Sequence, residues 1–424
     1  MKRTIAITAL IGAAALVLTG CGGASPSGST AATGGAGGAG DKLTVWNWGD
    51  ADEAAAAYTD DVKAAFAKTH PDVEVEIVNQ PFDQYYTLLG SAMEAGTGPD
   101  VALFNGGTQL KSRVSSLVPV TAELADLQDT LAGWPAFQAD GETYSAPMFL
   151  QGFPIYYNKA LFTAAGLDAD NPPKNWDELT AACTAIVDKT DASCFALGNK
   201  EGLGIEFFLS GFGSGVFTPE EYDDWIDGTR DWTSEHATQV LQMWADSAKA
   251  GWYNDGANST AMFNDSFDLF SAGKSAMVIG LMSGTAHWKQ FDEFLGADLG
   301  FMMPVTVNSG TTLGLPAEGG IGYAVLNADK KELGTDWIRA TVDHDALAAY
   351  SLAGGQITSD TTIELDTDIA SANDIVAELG GSKPLLHTAL EGETLDLLHR
   401  LGQQLLGGEV TVADAASQLA ASEG

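Results

Sequence analysis

The sequence is poor in basic residues and in residues that bind metals. Its 424 residues include 20 lysines and arginines against 57 aspartates and glutamates, so the formal net charge is −37 at pH 7. A chain this acidic repels nucleic acid and anionic lipid headgroups, which argues against both as ligands. The 6 histidines are scattered and no pair has HExxH spacing, so the sequence predicts neither a metal centre nor a cofactor.

The common catalytic motifs are also missing. There is no GxSxG, no GxGxxG that opens a helix after a strand, and no Walker loop, because Gly273-Lys274-Ser275 lacks the required upstream glycine. The sequence therefore predicts that the protein is not an enzyme. A secreted glycoside hydrolase is the enzyme alternative, but nothing singles out one acidic pair, such as Asp223 and Asp224, as its two carboxylates.

Long apolar runs are confined to the N-terminus, where residues 5–18 carry no charge and follow Lys2 and Arg3. This run is too short to span a membrane comfortably and predicts a signal peptide over residues 1–20. The sequence Leu-Thr-Gly-Cys that ends at Cys21 resembles a bacterial lipobox. That resemblance implies cleavage before Cys21 and a lipid anchor on the extracytoplasmic face of the cell membrane. The alternative is an ordinary secreted protein with a chance cysteine.

The segment that follows is made of glycine, serine, alanine and threonine with one proline. Such a composition builds no core, so residues 21–40 are predicted to be a lipidated cysteine and a flexible linker. The linker would have a root-mean-square reach of roughly 25 Å. Cleavage would remove two basic residues and no acidic ones, which makes the formal charge of the mature chain −39.

Only 3 cysteines are present, and Cys21 is used by the lipobox. Cys183 and Cys194 flank a predicted helix end and the next strand in an exported protein. A disulfide between them is the favoured interpretation, and two buried thiols are the alternative.

Alternating helical and strand patterns organise the rest of the chain. Strands are predicted at residues 43–48, 73–78 and 100–105, with helices at 53–68 and 82–94 between them. Strands alternating with helices predict an α/β fold with a parallel, doubly wound sheet, in which ligands bind outside the carboxyl ends of the strands.

A stretch dense in β-forming residues follows at 142–162. It predicts a strand leaving one lobe, a short crossing around Gln151 and Gly152, and a strand entering a second lobe. Beyond it, helices are predicted at 175–189 and 233–250, and strands at 194–197, 276–280, 299–304 and 318–327. Three further helical stretches are predicted at 330–353, 384–406 and 411–421.

Several of these segments together resemble the extracellular solute-binding proteins of carbohydrate ABC importers, the maltodextrin-binding-like group. They appear in the order of that family and extend over essentially all of residues 41–424. The matching segments are residues 43–50 (LTVWNWGD), 98–104 (GPDVALF), 155–162 (IYYNKALF), 172–179 (PPKNWDEL), 270–278 (FSAGKSAMV), 318–325 (EGGIGYAV) and 408–416 (GEVTVADAA).

The resemblance implies a two-lobed, discontinuous fold of the type II periplasmic-binding-protein class. The first lobe would comprise residues 41–150 and 303–358, and the second residues 151–302 and 359–424. Such proteins are monomers that capture a sugar in the cleft between the lobes and deliver it to the transmembrane subunits of an ABC permease. A peptide or a polyamine is the alternative solute.

A sugar site combines aromatic rings, which cover C–H faces, with carboxylates and amides that bind hydroxyls. Trp46 and Trp48 lie at the carboxyl end of the first strand and alternate around Asn47, with core packing as the alternative for each. Asp50 follows where this family often places a sugar-binding carboxylate, and its alternative is a helix N-cap. Asn105 ends the third strand before two glycines that would let a ligand approach the backbone.

Further ligand contacts are expected from later segments. Gln151 occupies the hinge position where the resemblance places a polar, often acidic, sugar contact. Glu318 and Gly319 precede a strand close to the cleft, and surface charge is the alternative for Glu318. Trp288 is expected to stack on the sugar, although it lies a few positions away from where the family commonly has a tryptophan. The loop before it adds two more predicted contacts: Ser283 and Thr285.

Overall fold

The computed structural model describes residues 42–48, 53–81, 84–282, 287–354, 356–364, 368–390 and 392–423. In chain order the strands are β1 (Lys42–Trp48), β2 (Glu74–Gln80), β3 (Val101–Asn105), β4 (Gln138–Ala139), β5 (Glu142–Thr143), β6 (Phe149–Gly152), β7 (Ile155–Asn158), β8 (Ser193–Phe195), β9 (Ser275–Ile279), β10 (Leu299–Met302) and β11 (Ala317–Val325). The helices are α1 (Glu53–Ala67), α2 (Tyr85–Glu94), α3 (Thr108–Lys111), α4 (Lys159–Ala165), α5 (Trp176–Lys189), α6 (Gly204–Val216), α7 (Pro219–Ile226), α8 (Glu235–Lys249), α9 (Phe267–Ser271), α10 (His287–Leu295), α11 (Lys331–Thr341), α12 (His344–Gly354), α13 (Ala370–Glu378), α14 (Gly392–Gly407) and α15 (Val412–Ser422). None of the helices described here has both the length and the apolar character that a membrane crossing requires.

The first lobe is built on a five-stranded sheet in the order β2-β1-β3-β11-β6. β1 pairs in parallel with both β2 and β3, which confirms the predicted parallel sheet for these three strands. β11 runs antiparallel to β3 and to β6, so the sheet as a whole is mixed. Leu43 and Val45 of β1 point into the lobe's buried core, where they pack with apolar residues of α1, α11 and α12.

The second lobe has a four-stranded sheet in the order β10-β7-β9-β8. Its core is packed by aromatic side chains such as Phe162, Phe212 and Trp244, which are fully buried. We expected the strand at residues 299–304 to lead back to the first lobe. Instead, β10 pairs antiparallel with β7 inside the second sheet, with Leu299 opposite Asn158.

The chain crosses between the lobes slightly later than predicted. Gln151 belongs to β6 and lies opposite Glu318 of β11, so it is part of the first sheet. β7 of the second sheet begins at Ile155, which leaves Phe153 and Pro154 as the crossing. The predicted crossing at Gln151 and Gly152 was therefore wrong by two residues, because pairing with the distant β11 extends β6.

The chain also returns to the first lobe later than residue 303, where the sequence predicted the return. Val305 is fully buried in the core of the second lobe, and Thr306 forms a bridge with Asn175 at the start of α5. The first sheet resumes only with β11. After α12, Asp360 bridges to Leu131 and Ile363 packs in the first core, whereas α13 packs against β10 of the second sheet.

One predicted helical stretch, residues 330–353, is divided in two. α11 and α12 are separated by Val342 and Asp343. The Asp343 carboxylate accepts a hydrogen bond from the backbone N–H of Ala346, 3.2 Å away, which is how an N-cap starts a new helix. The stretch predicted at 384–406 becomes regular helix only from Gly392, where α14 begins.

Cys183 and Cys194 form a disulfide that joins α5 to β8, with their Cα atoms 5.0 Å apart. Both residues are completely buried in the core of the second lobe. The bond thus closes the turn between a helix and the next strand, which confirms the disulfide favoured from the sequence.

Replacement of both cysteines by alanine should lower the free energy of unfolding by roughly 3 kcal/mol, since the bond closes a loop of about a dozen residues in the unfolded chain. Urea unfolding of the double variant and of the wild type measures the loss. Wild type unfolded and refolded in a thiol reductant is the control and should show a similar loss. Equal stability of all three samples would contradict a stabilising role for this bond.

Candidate functional site

Aromatic side chains form a cluster at the carboxyl ends of β1 and β3 in the first sheet. The Trp48 ring lies 4.8 Å from that of Tyr85 in an edge-to-face arrangement and 6.1 Å from that of Tyr86. Trp46 packs against the same cluster, which also contains the buried Phe104. Trp46 and Trp48 are half-buried, so each packs on the lobe and still presents surface to solvent.

Asn105 is held in place by the hydroxyl of Tyr86. Its backbone N–H and its side-chain amide both donate to the Tyr86 Oη, at 2.9 and 3.3 Å. Burial raises the pKa of Tyr86 to about 12, so the phenol stays neutral at physiological pH. The guanidinium of Arg113 lies 4.9 Å from the centre of the Tyr86 ring. Tyr86 therefore connects the predicted residue Asn105 to the aromatic cluster and to the Arg113 guanidinium.

Gln151 and Glu318 meet at the junction of the two lobes. The Gln151 Nε2 donates to the Glu318 Oε1 at 3.2 Å. The other carboxylate oxygen accepts from the Leu385 backbone N–H at 3.1 Å and from the Thr388 hydroxyl at 3.2 Å. Glu318 is only 7% exposed, and this burial raises the pKa of its carboxyl group. The surface-charge alternative for Glu318 does not fit such burial.

The segment that Glu318 contacts is packed on the second lobe. Leu386 is buried in the second core, where its carbonyl accepts from the Trp225 indole at 3.0 Å. The Tyr222 hydroxyl donates to the Pro384 carbonyl at 2.6 Å. On the other side, the Thr108 hydroxyl donates to the carbonyl of Thr388. Residues 384–390 therefore connect the two lobes through hydrogen bonds to Glu318 and Thr108.

Glycines at the end of β3 allow the chain segments around it to pack closely. A Cβ on Gly106 would lie 2.5 Å from the Gly319 carbonyl oxygen, and one on Gly319 would lie 2.5 Å from the Gly133 carbonyl oxygen. Both positions are buried. We expected Gly106 and Gly107 to let a ligand approach the backbone. The structure instead uses Gly106, like Gly319, for packing inside the first lobe, whereas Gly107 lines a cavity.

A cavity of about 590 Å³ lies between the segment after β3 and the segment that leads into α14. The first lobe contributes the larger part of its wall, and the second lobe contributes Ile226 and the residues after Pro384. Its lining residues are Gly107, Thr108, Gln109, Lys111, Ser112, Arg113, Pro135, Ala136, Ile226, Glu318, Pro384, Thr388, Ala389 and Gly392. Of the predicted ligand contacts that the structure describes, only Glu318 is in this wall.

A second aromatic group lies at the crossing between the lobes. Phe153 stacks on Phe207 with ring centres 3.9 Å apart and on His387 at 5.2 Å. Phe207 in turn contacts Phe263, which is 42% exposed. The sequence did not predict this second aromatic group, because its four members come from four separate segments that share no local pattern.

Several predicted site residues cannot be placed. Asp50, Ser283 and Thr285, together with the lipobox Cys21, lie outside the described residues. Trp288 falls within α10, but its side chain is likewise outside what the structure describes. Sequence reasoning also overlooked Tyr86, although the aromatic pair Tyr85-Tyr86 directly after the second strand was a usable signal.

Metal-binding chemistry has no support in the described part of the chain. Within it, no three histidine, cysteine, aspartate or glutamate side chains gather closely enough to hold a metal ion. Four of the histidines there are instead paired with carboxylates, as in the 2.7 Å contact between the His399 Nε2 and the Glu206 Oε2, and His387 bonds to the Ser210 hydroxyl.

Comparisons with known proteins agree with this architecture. The family model for bacterial extracellular solute-binding proteins matches residues 48–343, more than half of the chain. The sn-glycerol-3-phosphate-binding periplasmic protein UgpB of Yersinia pestis is 24% identical over 288 residues, which are 64% of this chain and 63% of UgpB. The chain thus matches less than two thirds of the length of this curated relative.

Two solved structures show the same fold. A chitin oligosaccharide binding protein superimposes with a TM-score of 0.75 at 20% identity, covering 91% of this chain and 98% of its own. The maltose-bound MalE3 of T. maritima superimposes with a TM-score of 0.70 at 19% identity, covering 90% and 98%. The two-lobed fold predicted from the sequence is confirmed. With the family match over residues 48–343, the chain belongs to the bacterial extracellular solute-binding proteins, a family of binding proteins rather than enzymes.

Proposed function

We propose that this protein captures a sugar between its two lobes and delivers it to the transmembrane subunits of an ABC permease. The observation that carries the proposal is the cavity of about 590 Å³ whose wall comes from both lobes and includes Arg113, which also contacts the aromatic cluster. A cavity of this size holds one or a few sugar rings. The chitin oligosaccharide binding protein and the maltose-bound MalE3 take sugars as ligands, which supports the same class here.

The side chains near the cavity suit a sugar. Trp48 and Tyr86 offer aromatic faces for C–H groups, while Asn105, Gln151 and Thr388 offer amide and hydroxyl groups for sugar hydroxyls. We keep other predicted contacts in the proposed site, because the resemblance of the sequence to the family implies them. These are Trp46, Asp50, Ser283, Thr285, Trp288 and Glu318, whereas the buried Gly319 is left out.

Capture would proceed by closure of the lobes. We assign residues 42–152 and 317–364 to the first lobe and residues 153–316 and 368–423 to the second, since the two sheets and the two largest buried cores divide there. A ligand bound by both lobes favours the closed arrangement over the open one. Closure bends the crossing at Phe153-Pro154 and the chain before β11.

Anchoring would keep the protein beside its permease. Residues 1–20 would be removed as a signal peptide, and Cys21 would carry the lipid. The linker to residue 40 gives the folded part of a monomer a reach of roughly 25 Å above the membrane. Mass spectrometry of the protein purified from membranes tests this, since a C21A variant should lose the lipid and appear in the soluble fraction.

A thermal-shift screen tests the proposed function. A ligand that binds only the native state raises the unfolding midpoint, so a monosaccharide or oligosaccharide in the screen should raise it in a concentration-dependent way. Peptides and polyamines are included because they are the alternative solutes. A rise with those alone would contradict the sugar assignment. Chromatography of the same mixtures would reveal any hydrolysis, which would favour the glycoside hydrolase alternative.

Trp48→Ala should weaken sugar binding about tenfold, because the lost aromatic contact is worth roughly 1 kcal/mol or more. Isothermal titration with the best sugar of the screen measures this. The matched control is Trp176→Ala, since Trp176 is also half-buried but packs on Trp252 and Phe212 in the second lobe. Unchanged affinity in Trp48→Ala would remove Trp48 from the site.

A further inference from the structure

Two cations face the proposed ligand cavity of a strongly acidic protein. Lys111 and Arg113 both line it, although the chain has only 20 lysines and arginines against 57 acidic residues. From their placement we propose that the ligand is an anionic saccharide or polyol, carrying a phosphate or a carboxylate group. This inference rests on the proposed function and narrows it from sugars in general to charged ones.

Arg113 is oriented by contacts that leave part of its guanidinium for a ligand. Its Nη1 donates to the Gln109 carbonyl at 2.7 Å, to the Gln109 Oε1 at 3.0 Å and to the Ser112 Oγ at 3.1 Å. The guanidinium also lies over the Tyr86 ring. Within the described residues, its Nε and Nη2 have no such bond, and no carboxylate pairs with it. A planar guanidinium with free donors matches the geometry of phosphate and carboxylate oxygens.

Lys111 adds a second positive charge on the same wall. Its side chain is exposed, and it forms no ion pair with any carboxylate that the structure describes. Other basic residues are paired, for example Arg230 with Glu423 at 2.8 Å and Lys331 with Glu123 at 2.6 Å. An ammonium of this kind strengthens anion binding mainly through its charge.

The described part of the cavity wall carries little negative charge. Among the lining residues that the structure describes, Glu318 is the one acid, and it is buried. Three donors from Gln151, Leu385 and Thr388 already occupy its oxygens. The described part of the wall therefore carries two exposed or half-exposed cations against one enclosed carboxylate, which favours an anion over a neutral sugar or a cation.

Isothermal titration with matched ligands tests this inference. Each neutral sugar is compared with its phosphorylated and uronic acid forms, for example glucose, glucose 6-phosphate and glucuronate, and glycerol is compared with glycerol 3-phosphate. For at least one set, a charged member should bind ten times or more tightly than its neutral partner, and added salt should weaken it. The phosphate and carboxylate arms then show which anionic group is recognised.

Variants test whether Arg113 and Lys111 cause the tighter binding of the charged ligand. R113Q and K111Q should each weaken the charged ligand at least about fivefold and leave the neutral partner unchanged. R400Q and K68Q are the matched controls, because Arg400 and Lys68 are exposed and lie outside the cavity wall. Equal losses in the controls would overturn the assignment to Arg113 and Lys111.

The outcomes of the titrations separate this inference from the proposed function. If neutral sugars bind as tightly as their charged forms, the inference fails and the sugar-binding function stands. If inorganic phosphate alone binds and no saccharide or polyol does, the cavity holds an adventitious ion only, and both fail. If no charged saccharide or polyol binds at all, the inference is likewise overturned.

Discussion

Glu318→Ala should lower the free energy of unfolding by about 3 kcal/mol or more. The carboxylate accepts hydrogen bonds from Gln151, Leu385 and Thr388 in a buried position. Its removal leaves the Leu385 N–H and the Gln151 amide without an acceptor inside the protein, and each such loss costs roughly 1–3 kcal/mol. The Thr388 hydroxyl has a single hydrogen, which can go entirely to the Leu385 carbonyl 2.8 Å away once Glu318 is gone, so Thr388 adds less to the cost.

Urea unfolding measures this effect, and Glu94→Ala is the matched control. Glu94 is exposed at the end of α2, so its removal should change the unfolding free energy by no more than about 0.5 kcal/mol. Similar losses in both variants would show that the hydrogen bonds to Glu318 contribute little.

The same side chain should give a measurable pH dependence. Burial raises the pKa of Glu318, so the native state keeps this proton at pH values where the unfolded chain has lost it. The native state then binds more protons, and stability falls as the pH rises above the ordinary carboxyl value. Lys111 is the charged neighbour that acts against this shift.

Glu318→Gln removes the titration and keeps the shape. Its deficit in unfolding free energy relative to wild type should be constant below the ordinary carboxyl pKa and should shrink as the pH rises above it. Urea unfolding at several pH values compares the two proteins. A deficit that grows with pH would mean that the native carboxyl pKa is lowered instead.

Phe153→Ala should lower the free energy of unfolding by roughly 3–5 kcal/mol, as expected for a large buried aromatic side chain. Phe153 connects the two sheets, is 5% exposed, and stacks on Phe207 and His387. Its backbone N–H also donates to the Pro316 carbonyl at 2.9 Å, next to β11. Removal of the ring would leave a cavity where the lobes join.

The matched control for Phe153 is Phe294→Ala. Phe294 is 63% exposed at the end of α10, so its removal should cost less than about 1 kcal/mol. Calorimetric unfolding of both variants provides the comparison. A cost below about 1 kcal/mol for Phe153→Ala would contradict the view that this residue stabilises the junction.

Local patterns were enough to predict the parallel part of the first sheet. Alternating and continuous apolar runs mark β1, β2 and β3, and the helices between them require parallel connections. The hinge stretch was also recognisable, because two strand patterns follow each other without a helix between them. Its crossing was misplaced because the end of β6 depends on pairing with β11, more than 160 residues away.

The site was harder to predict than the fold. Trp46, Trp48 and Asn105 were identified because they end strands, and the structure brings them to one aromatic cluster. The role of Glu318 depends on Leu385 and Thr388, whose segment has no local signal for a contact with β11. Lys111 and Arg113 lie on a short helix and a turn after β3, so only the folded chain shows that they share a cavity.

Small-angle X-ray scattering with and without a saturating sugar tests the central claim most directly. The sugar is the one that gives the largest thermal shift, and Trp48→Ala at the same sugar concentration is the control for binding. If the two lobes close around the ligand, the radius of gyration of the wild type should decrease on saturation. An unchanged radius of gyration at proven saturation would contradict capture by closure between the lobes.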